Sequence, residues 1–207
     1  MKDWNKILKP LLALYRNKRH PLEYQNLYQL LVMVVLSAQD SDANINKISP
    51  ALFEAFPDME SLSKADMDSL IPFISKVRKF HTKASWLLEI AQIIKDDNNI
   101  PKTLAELVAL KGIGRKSANV ILRESGGKSE GVIVDLHVIR VAPRLGIATE
   151  LKDGIKIEKQ IMTQLKEDMW AVGMPISFLG REICRPTNPK CDECILNADC
   201  NFYQTTI

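Results

Sequence analysis

The sequence predicts an all-α fold, and three observations favour it. Apolar residues recur at a period near 3.6 along most of the chain, as they do on a half-buried helix. Hydroxyl and carboxylate residues stand at the spacing of a helix capping box in two places. Only residues 131–141 are rich enough in Val and Ile to form a strand, and no second strand is predicted to satisfy its backbone groups.

The helical elements follow from these signals. Residues 26–38 are apolar on nearly every side, which predicts a central buried helix, and residues 82–96 carry an apolar stripe that predicts an amphipathic one. Pro50 interrupts residues 44–56, so we expect two short helices there, with Ser49 capping the second. The predicted capping boxes are Ser63 with Asp66 and Thr103 with Glu106.

The composition excludes several classes of protein. With 207 residues, 46% of them hydrophobic and 26% charged, the chain has enough apolar material for one large or two small folded domains and does not indicate disorder. No apolar run approaches the roughly 20 residues that cross a bilayer, and the N-terminus lacks the apolar stretch of a secretory signal. We therefore expect a cytoplasmic, nucleoid-associated protein, or a nuclear one in a eukaryote.

The net charge is a weak indicator, but the distribution of charge is informative. A formal charge of +3 falls short of the strong basicity typical of nucleic-acid-binding proteins. Residues 111–128, however, contain five basic residues and one acidic residue, and residues 76–83 contain four basic residues and no acidic one. Each segment by itself could be a solvated helix face.

Residues 110–118, Leu-Lys-Gly-Ile-Gly-Arg-Lys-Ser-Ala, predict a helix, a tight turn and a second helix. Glycines at 112 and 114 permit backbone angles that other residues avoid and leave the turn amides accessible, so that they and the following helix N-terminus could bind phosphate. A G-x-G turn alone is weak support, since it could be a simple helix C-cap. Here Lys111, Arg115 and Lys116 flank it and Ile113 can anchor it, which resembles the DNA-backbone-binding helix-hairpin-helix motif.

Lys116 and Asp135 are the candidate catalytic residues. Lys116 falls in a first helical turn, where the helix dipole disfavours a cation, so it is either another phosphate contact or an amine nucleophile that must lose its proton. Asp135 precedes a helical pattern, where an N-cap is the simpler interpretation. His137 nearby could be a structural, hydrogen-bonded histidine.

All four cysteines of the chain lie near its C-terminus, with the spacing C-x6-C-x2-C-x5-C. Disulfides are disfavoured in a reducing compartment, so four thiolates at short spacing indicate a metal centre. Thiolate chemistry alone leaves zinc and iron–sulfur open. The residues are Cys184, Cys191, Cys194 and Cys200.

Together these motifs resemble the endonuclease III family over roughly residues 25 to 202. The resemblance rests on L-x-G-I-G-R-K-x-A, on V-D-x-H-x-x-R some twenty residues later, and on the cysteine spacing, which matches the family's cluster loop in every interval. It implies a bifunctional DNA glycosylase and abasic-site lyase with a [4Fe-4S] cluster on the four cysteines. Lys116 would attack C1′ of a damaged nucleotide, and Asp135 would accept the lysine proton and stabilise the positively charged sugar.

The resemblance also implies an architecture and a partner. Residues 20–130 would form a six-helix domain that ends in the hairpin. Residues 1–19 and 131–207 would form a second helical domain with the cluster loop, and DNA would occupy a groove between the two. The implied partner of this monomer is double-stranded DNA with damaged bases or abasic sites, bound by Gln39 as the gap filler and by Lys79, Lys111, Gly112, Ile113, Gly114, Arg115, His137 and Arg140.

Several positions depart from the family pattern. Arg78 and Lys79 replace a common Gly-Leu pair whose leucine is a wedge, and a charged wedge lacks that apolar contact. Leu136, Pro143 and Leu179 replace the usual threonine, asparagine and histidine. These changes bear on the substrate, which for the family is usually an oxidised pyrimidine. A glycosylase without lyase activity and a non-catalytic module that binds DNA structures are the alternatives.

Overall fold

The structure is a computed structural model that describes residues 2–206, and within them it contains helices, turns and loops but no strand. The predicted all-α class is therefore confirmed. None of the described helices is both long and apolar enough to cross a membrane. In chain order the α-helices are α1 (Trp4–Ile7), α2 (Lys9–Leu14), α3 (Leu27–Ser37), α4 (Asp42–Ala55), α5 (Met59–Ser63), α6 (Met67–Ile74), α7 (Phe80–Ile94), α8 (Leu104–Ala109), α9 (Arg115–Glu124), α10 (Leu136–Leu145), α11 (Gly154–Gln164), α12 (Gly173–Glu182) and α13 (Asn201–Thr206).

The described chain divides into two compact units. Arg19–Gly127, here called the central unit, contains α3 to α9 and the 3₁₀ helix Asp97–Asn99. Residues 2–18 and 128–206, here called the terminal unit, contain α1, α2 and α10 to α13. Three further 3₁₀ helices lie in the terminal unit, at Glu167–Val172, Cys191–Glu193 and Asn197–Asp199.

The core of the central unit is built around α3. Asn26 caps this helix by accepting a hydrogen bond from the Gln29 amide at 2.9 Å, and every residue from Leu30 to Leu36 is buried. Helices α4, α7 and α9 pack around it. A helix buried on all sides explains the near-continuous apolar sequence of residues 27–36.

The expectation of two helices around Pro50 is wrong, because α4 runs without a break from Asp42 to Ala55. A proline has no amide hydrogen, so Pro50 leaves the carbonyl of Asn46 without its usual helical partner. The hydroxyl of Ser49 donates to that carbonyl at 3.3 Å. Ser49 therefore supplies a substitute hydrogen bond inside one helix instead of capping a second one.

The capping predictions had mixed outcomes. Thr103 caps α8, because its side chain accepts from the Glu106 amide at 3.3 Å. The pairing of Ser63 with Asp66 is wrong, since Ser63 ends α5 and Asp66 is the N-cap of α6. The partner of Asp66 is Ser69, in a reciprocal box that has the carboxylate at the N-cap and the hydroxyl in the first turn. The predicted box had the hydroxyl at the N-cap and the carboxylate in the first turn, which is the reverse of the observed order.

In the terminal unit α10 packs against α12. The contact is close at Gly180, where a Cβ atom would lie 2.8 Å from the Cβ atom of His137. Only glycine lets the two helices approach this closely. The Val- and Ile-rich residues 132–134 are buried in an irregular segment that leads into α10, so they form no strand.

Candidate functional site

The helix-hairpin-helix has the geometry expected from its glycines, with one exception. Gly112 has φ +80°, and a Cβ there would come within 2.4 Å of the Trp86 ring, so the turn requires glycine. Ile113 is 3% exposed and anchors the turn in the core. Gly114 has φ −86° and ψ 172°, angles open to any residue, so the expectation of a special backbone angle there is wrong. Its missing side chain instead leaves open space beside the backbone.

The turn presents the positive end of α9. Gly114 is the N-cap, and it has no side chain that could cap the first-turn amides of this helix. Such amides form an anion site when a phosphate approaches. Lys111 lies beside the turn and pairs with Glu89 at 2.7 Å, so part of its charge is already balanced. Arg115 is the first residue of α9.

The side chain of Lys116 is exposed in the first turn of α9, immediately after the glycine turn. The same helix carries Arg123 and Glu124 near its other end, and these two form an ion pair. Glu124 also accepts a hydrogen bond from Tyr24, and burial, followed by this bond, raises the pKa of the tyrosine. The amine of Lys116 is thus accessible near the start of α9. Tyr24, Arg123 and Glu124 form a polar cluster at the other end of this helix.

His20 belongs to the same polar cluster and is held neutral. Its Nδ1 accepts a hydrogen bond from the Leu22 amide at 3.1 Å, which protonation of that nitrogen would break. Burial is the main cause that lowers the pKa of His20 to about 4, and the carboxylates of Glu124 and Asp42 oppose it. The positive charges of Lys116 and Arg123 lower it further.

This histidine predicts a pH dependence of stability. The folded state binds its proton near pH 4 and the unfolded state near 6.5, so between these values the unfolded state carries more protons. Stability is therefore lost as the pH falls from 6.5 towards 4, by on the order of 2 kcal/mol relative to His20→Gln. Urea unfolding of both proteins across this range measures the difference. Parallel stability curves would contradict a His20 side chain that is neutral in the folded protein.

Asp135 caps α10 and is held on both of its oxygens. Oδ1 accepts from the amides of His137 and Val138, each at 2.9 Å. Oδ2 accepts from the hydroxyl of Ser177 at 2.6 Å and lies 3.9 Å from the guanidinium of Arg181. The N-cap interpretation of Asp135 is thus correct, and the same bonds fix the direction of the carboxylate.

Ser177 was not predicted from the sequence, although a signal was present. It is fully buried and lies within the otherwise apolar run Met174–Leu179 of α12. A lone hydroxyl in an apolar helix needs a partner, and here the partner is the carboxylate of Asp135.

His137 and Arg140 lie on α10 next to Asp135. The Arg140 guanidinium donates to the carbonyls of Gly180 at 2.8 Å and Cys184 at 3.1 Å, and it lies 3.3 Å from Nδ1 of His137. These bonds join α10 to the end of α12 and to the start of the cysteine loop. The predicted contact of these two residues with DNA stays a prediction.

The four cysteines come together in the lining of one cavity, and residues of α10, the end of α12 and α13 line it as well. Burial, and then the negative charges of neighbouring thiolates, raise the pKa of Cys191. Arg144 holds the loop, with Nη1 3.4 Å from the Cys184 sulfur and 2.7 Å from the Arg185 carbonyl. Among residues 2–206, no three His, Cys, Asp or Glu side chains form a group suited to a single metal ion.

The two predicted insertion residues lie in separate loops of the central unit. Gln39 follows α3 and has φ +60°, and Lys79 precedes α7 and has φ +57°. Both side chains are exposed. Residues other than glycine adopt this left-handed conformation infrequently, so both positions are constrained by their surroundings.

Comparison with known proteins identifies the family. Residues 32–167 match the model of the HhH-GPD superfamily base excision DNA repair protein. Endonuclease III of Synechocystis sp. is 36% identical over 203 residues, covering 97% of this chain and 92% of that protein. Endonuclease III of Thermotoga maritima is 36% identical over 194 residues, covering 90% of this chain and 89% of that protein.

Solved structures agree with this assignment. A non-covalent endonuclease III–DNA complex superimposes with a TM-score of 0.83 at 29% identity, over 97% of this chain and 95% of that one. A trapped endonuclease III–DNA covalent intermediate gives a TM-score of 0.84 at the same identity and coverage. The chain therefore belongs to the endonuclease III family, the DNA glycosylases and abasic-site lyases within the HhH-GPD superfamily of base excision DNA repair proteins.

Proposed function

We propose that this enzyme removes oxidised pyrimidines from double-stranded DNA through a Schiff base on Lys116 and then cleaves the strand by β-elimination. The observation that carries the proposal is the exposed amine of Lys116 in the first turn of α9, directly after a turn whose amides suit a DNA phosphate. A phosphate bound there would fix the register of the backbone. The amine would then belong to the same first turn of α9 that holds that phosphate.

In the proposed reaction, Nζ of Lys116 in its neutral form attacks C1′ of the extruded nucleotide. The bond from C1′ to the base breaks, and its electron pair leaves with the base, which takes up a proton. The carboxylate of Asp135, while it is still ionised, stabilises the positive charge that develops on the sugar. It then accepts the proton that the nitrogen loses once it is bonded to C1′. The C1′–O4′ bond then breaks, O4′ takes up a proton, and the Schiff base forms. Loss of a proton from C2′ breaks the C3′–oxygen bond on the 3′ side of the lesion, and the 3′ phosphate leaves with the electron pair of that bond.

We propose that Lys116 and Asp135 act on the same nucleotide. Residues 20–130 would supply the hairpin and the nucleophile, and residues 1–19 with 131–207 would supply the carboxylate. Asp135 suits this role because the amides of His137 and Val138 and the Ser177 hydroxyl fix its direction. A preoriented carboxylate needs no reorganisation when charge develops on the sugar.

The substrate range is tested with duplexes that each carry one lesion. Base release and strand cleavage are scored separately on thymine glycol, 5-hydroxycytosine, an abasic site and an undamaged control. We expect release of both oxidised pyrimidines, with strand cleavage at the same positions. Base release without cleavage would instead support a glycosylase that lacks lyase activity, and binding without either reaction would support a non-catalytic module.

The cysteine loop fits a [4Fe-4S] cluster. Four thiols line one cavity whose other walls include the apolar side chains of Val141, Leu145, Leu179 and Ile183, and such clusters are held by four cysteine thiolates. Cys184, Cys191, Cys194 and Cys200 would hold the group, which would supply covalent cross-links to a segment too short for its own hydrophobic core. Arg144 and Arg140 already fix the first cysteine from α10.

Metal analysis tests this cofactor. Anaerobically purified protein is expected to be brown and to contain equal amounts of iron and acid-labile sulfide. One equivalent of zinc with little iron would contradict the proposal, because zinc also binds four thiolates. A cysteine-to-serine variant at position 191 is expected to lose iron and to be less stable to urea.

A further inference from the structure

Two loops of the central unit are joined by a single carboxylate. Loop A, residues 38–41, connects α3 to α4, and loop B, residues 75–79, connects α6 to α7. Oδ2 of Asp40 in loop A accepts a hydrogen bond from the Arg78 amide in loop B at 2.8 Å. Oδ1 accepts from the Ser41 amide at 2.8 Å and from the Asn44 side chain at 3.0 Å.

The bridge has a second component on the α4 side. The same Asn44 side chain that donates to Asp40 also lies 3.3 Å from the Lys76 carbonyl, to which it donates. Loop B is therefore held at both a donor and an acceptor, the Arg78 amide and the Lys76 carbonyl. Hydrogen bonds in two directions limit both translation and rotation of one loop relative to the other.

Lys83 contributes to the bridge through its charge and through a hydrogen bond to the end of α3. It is 2% exposed, and its Nζ donates to the Leu36 carbonyl at 2.6 Å, at the end of the helix that leads into loop A. Burial raises the pKa of Asp40. The hydrogen bonds from Arg78, Asn44 and Ser41, together with the charge of Lys83, outweigh burial, so the pKa of this carboxyl is lowered overall. Asp40 is therefore a carboxylate near neutral pH, and its hydrogen bonds are charge-assisted.

The bridge joins the sequence neighbours of the two residues in left-handed conformations. Asp40 directly follows Gln39, which has φ +60°, and its partner Arg78 directly precedes Lys79, which has φ +57°. Such conformations persist in residues other than glycine when neighbouring contacts hold them. One carboxylate thus contacts the backbone beside both exposed side chains.

We infer that Asp40 is a positioning residue that couples the two loops, so that Gln39 and Lys79 enter the duplex as one preformed pair. The inference rests on the proposed glycosylase function. Extruding a base costs unstacking and unpairing energy, and the enzyme fills the gap with its own side chains. Two loops whose backbones are already held together lose less conformational entropy at that step than two independent loops.

The test compares one lesion in two contexts. Thymine glycol is placed in a duplex opposite adenine, or opposite an abasic analogue, where it has no partner base to separate from. Single-turnover base release is measured for wild type, Asp40→Ala and Asp40→Asn. The control is Asp58→Ala in the same unit, because Asp58 also accepts a backbone hydrogen bond in a loop-to-helix junction, at 2.7 Å from the Ser61 amide, but at a distance in sequence from both loops.

We expect Asp40→Ala to release the paired lesion about tenfold more slowly than wild type, as for loss of the one charge-assisted hydrogen bond of Asp40 that crosses to loop B, and the unpaired lesion within about twofold of wild type. Asp40→Asn keeps one acceptor oxygen, so its rate on the paired lesion should fall between the rates of wild type and Asp40→Ala. Asp58→Ala should treat the two substrates alike. Urea unfolding of each variant checks that the central unit is folded.

An equal loss on both substrates, no loss on either, or the same selective loss in Asp58→Ala would overturn the coupling role of Asp40. Failure of the proposed function has a different signature, because wild type itself would then release no base from either duplex. An active wild type combined with an unselective Asp40→Ala rejects the inference alone.

Discussion

Replacing Lys116 with glutamine is expected to lower the single-turnover rate of base release by at least about 10³-fold, because the variant has no amine to form the covalent intermediate. Glutamine keeps a long polar side chain in the exposed first turn of α9, so the hairpin and its DNA affinity should be retained. The rate is measured with enzyme in excess over a duplex that carries one lesion.

Lys102→Gln is the matched control for this change. Lys102 is another exposed lysine of the central unit, located just before the N-cap of α8, and its replacement removes the same charge. Its rate should stay close to that of wild type. If Lys116→Gln released bases as fast as the control, another group would have to be the nucleophile.

Asp135→Asn should reduce the rate of base release by about 10²- to 10⁴-fold, the range for losing a positioned proton acceptor. Asparagine is as good an N-cap as aspartate, so the bonds from the His137 and Val138 amides can persist. The Ser177 hydroxyl can rotate to accept from the new amide group. The substitution therefore removes the charge and leaves the cap.

Asp153→Asn controls for the cap itself. Asp153 caps α11 in the same unit and also accepts two amide hydrogen bonds, from Ile155 at 2.9 Å and Lys156 at 3.1 Å. The free energy of unfolding of both variants should lie within about 1 kcal/mol of the wild-type value. Only Asp135→Asn should release bases slowly. Equal rates in the two variants would leave Asp135 with a capping role alone.

Much of the fold was predictable because its signals are local. The continuous apolar run of α3 and the hydroxyl cap at Thr103 are short-range patterns, and the structure has both. Pro50 misled the prediction, because whether a proline breaks a helix depends on what satisfies the carbonyl four residues earlier. In α4 the hydroxyl of Ser49 donates to that carbonyl. The general tendency of proline to break helices takes no account of such a neighbour.

The residues proposed to carry the chemistry have sequence signals, whereas most of those proposed to position them do not. Lys116, Asp135 and the cysteines stand in recognisable motifs. Ser177 and Asp40 do not, because each acquires its partner from a distant part of the chain, 42 and 38 residues away. Lys83 had a weak signal, since it occupies the apolar stripe of α7, where a lysine must find a buried acceptor.

Borohydride trapping tests the central claim most directly, because borohydride reduces a Schiff base between enzyme and DNA to a stable bond. Wild-type enzyme is incubated with an abasic-site duplex and borohydride, and the adduct is digested and located by mass spectrometry. We expect a covalent adduct on the peptide that contains Lys116, and none with Lys116→Gln. An adduct on a different residue, or an undiminished adduct in the variant, would contradict it.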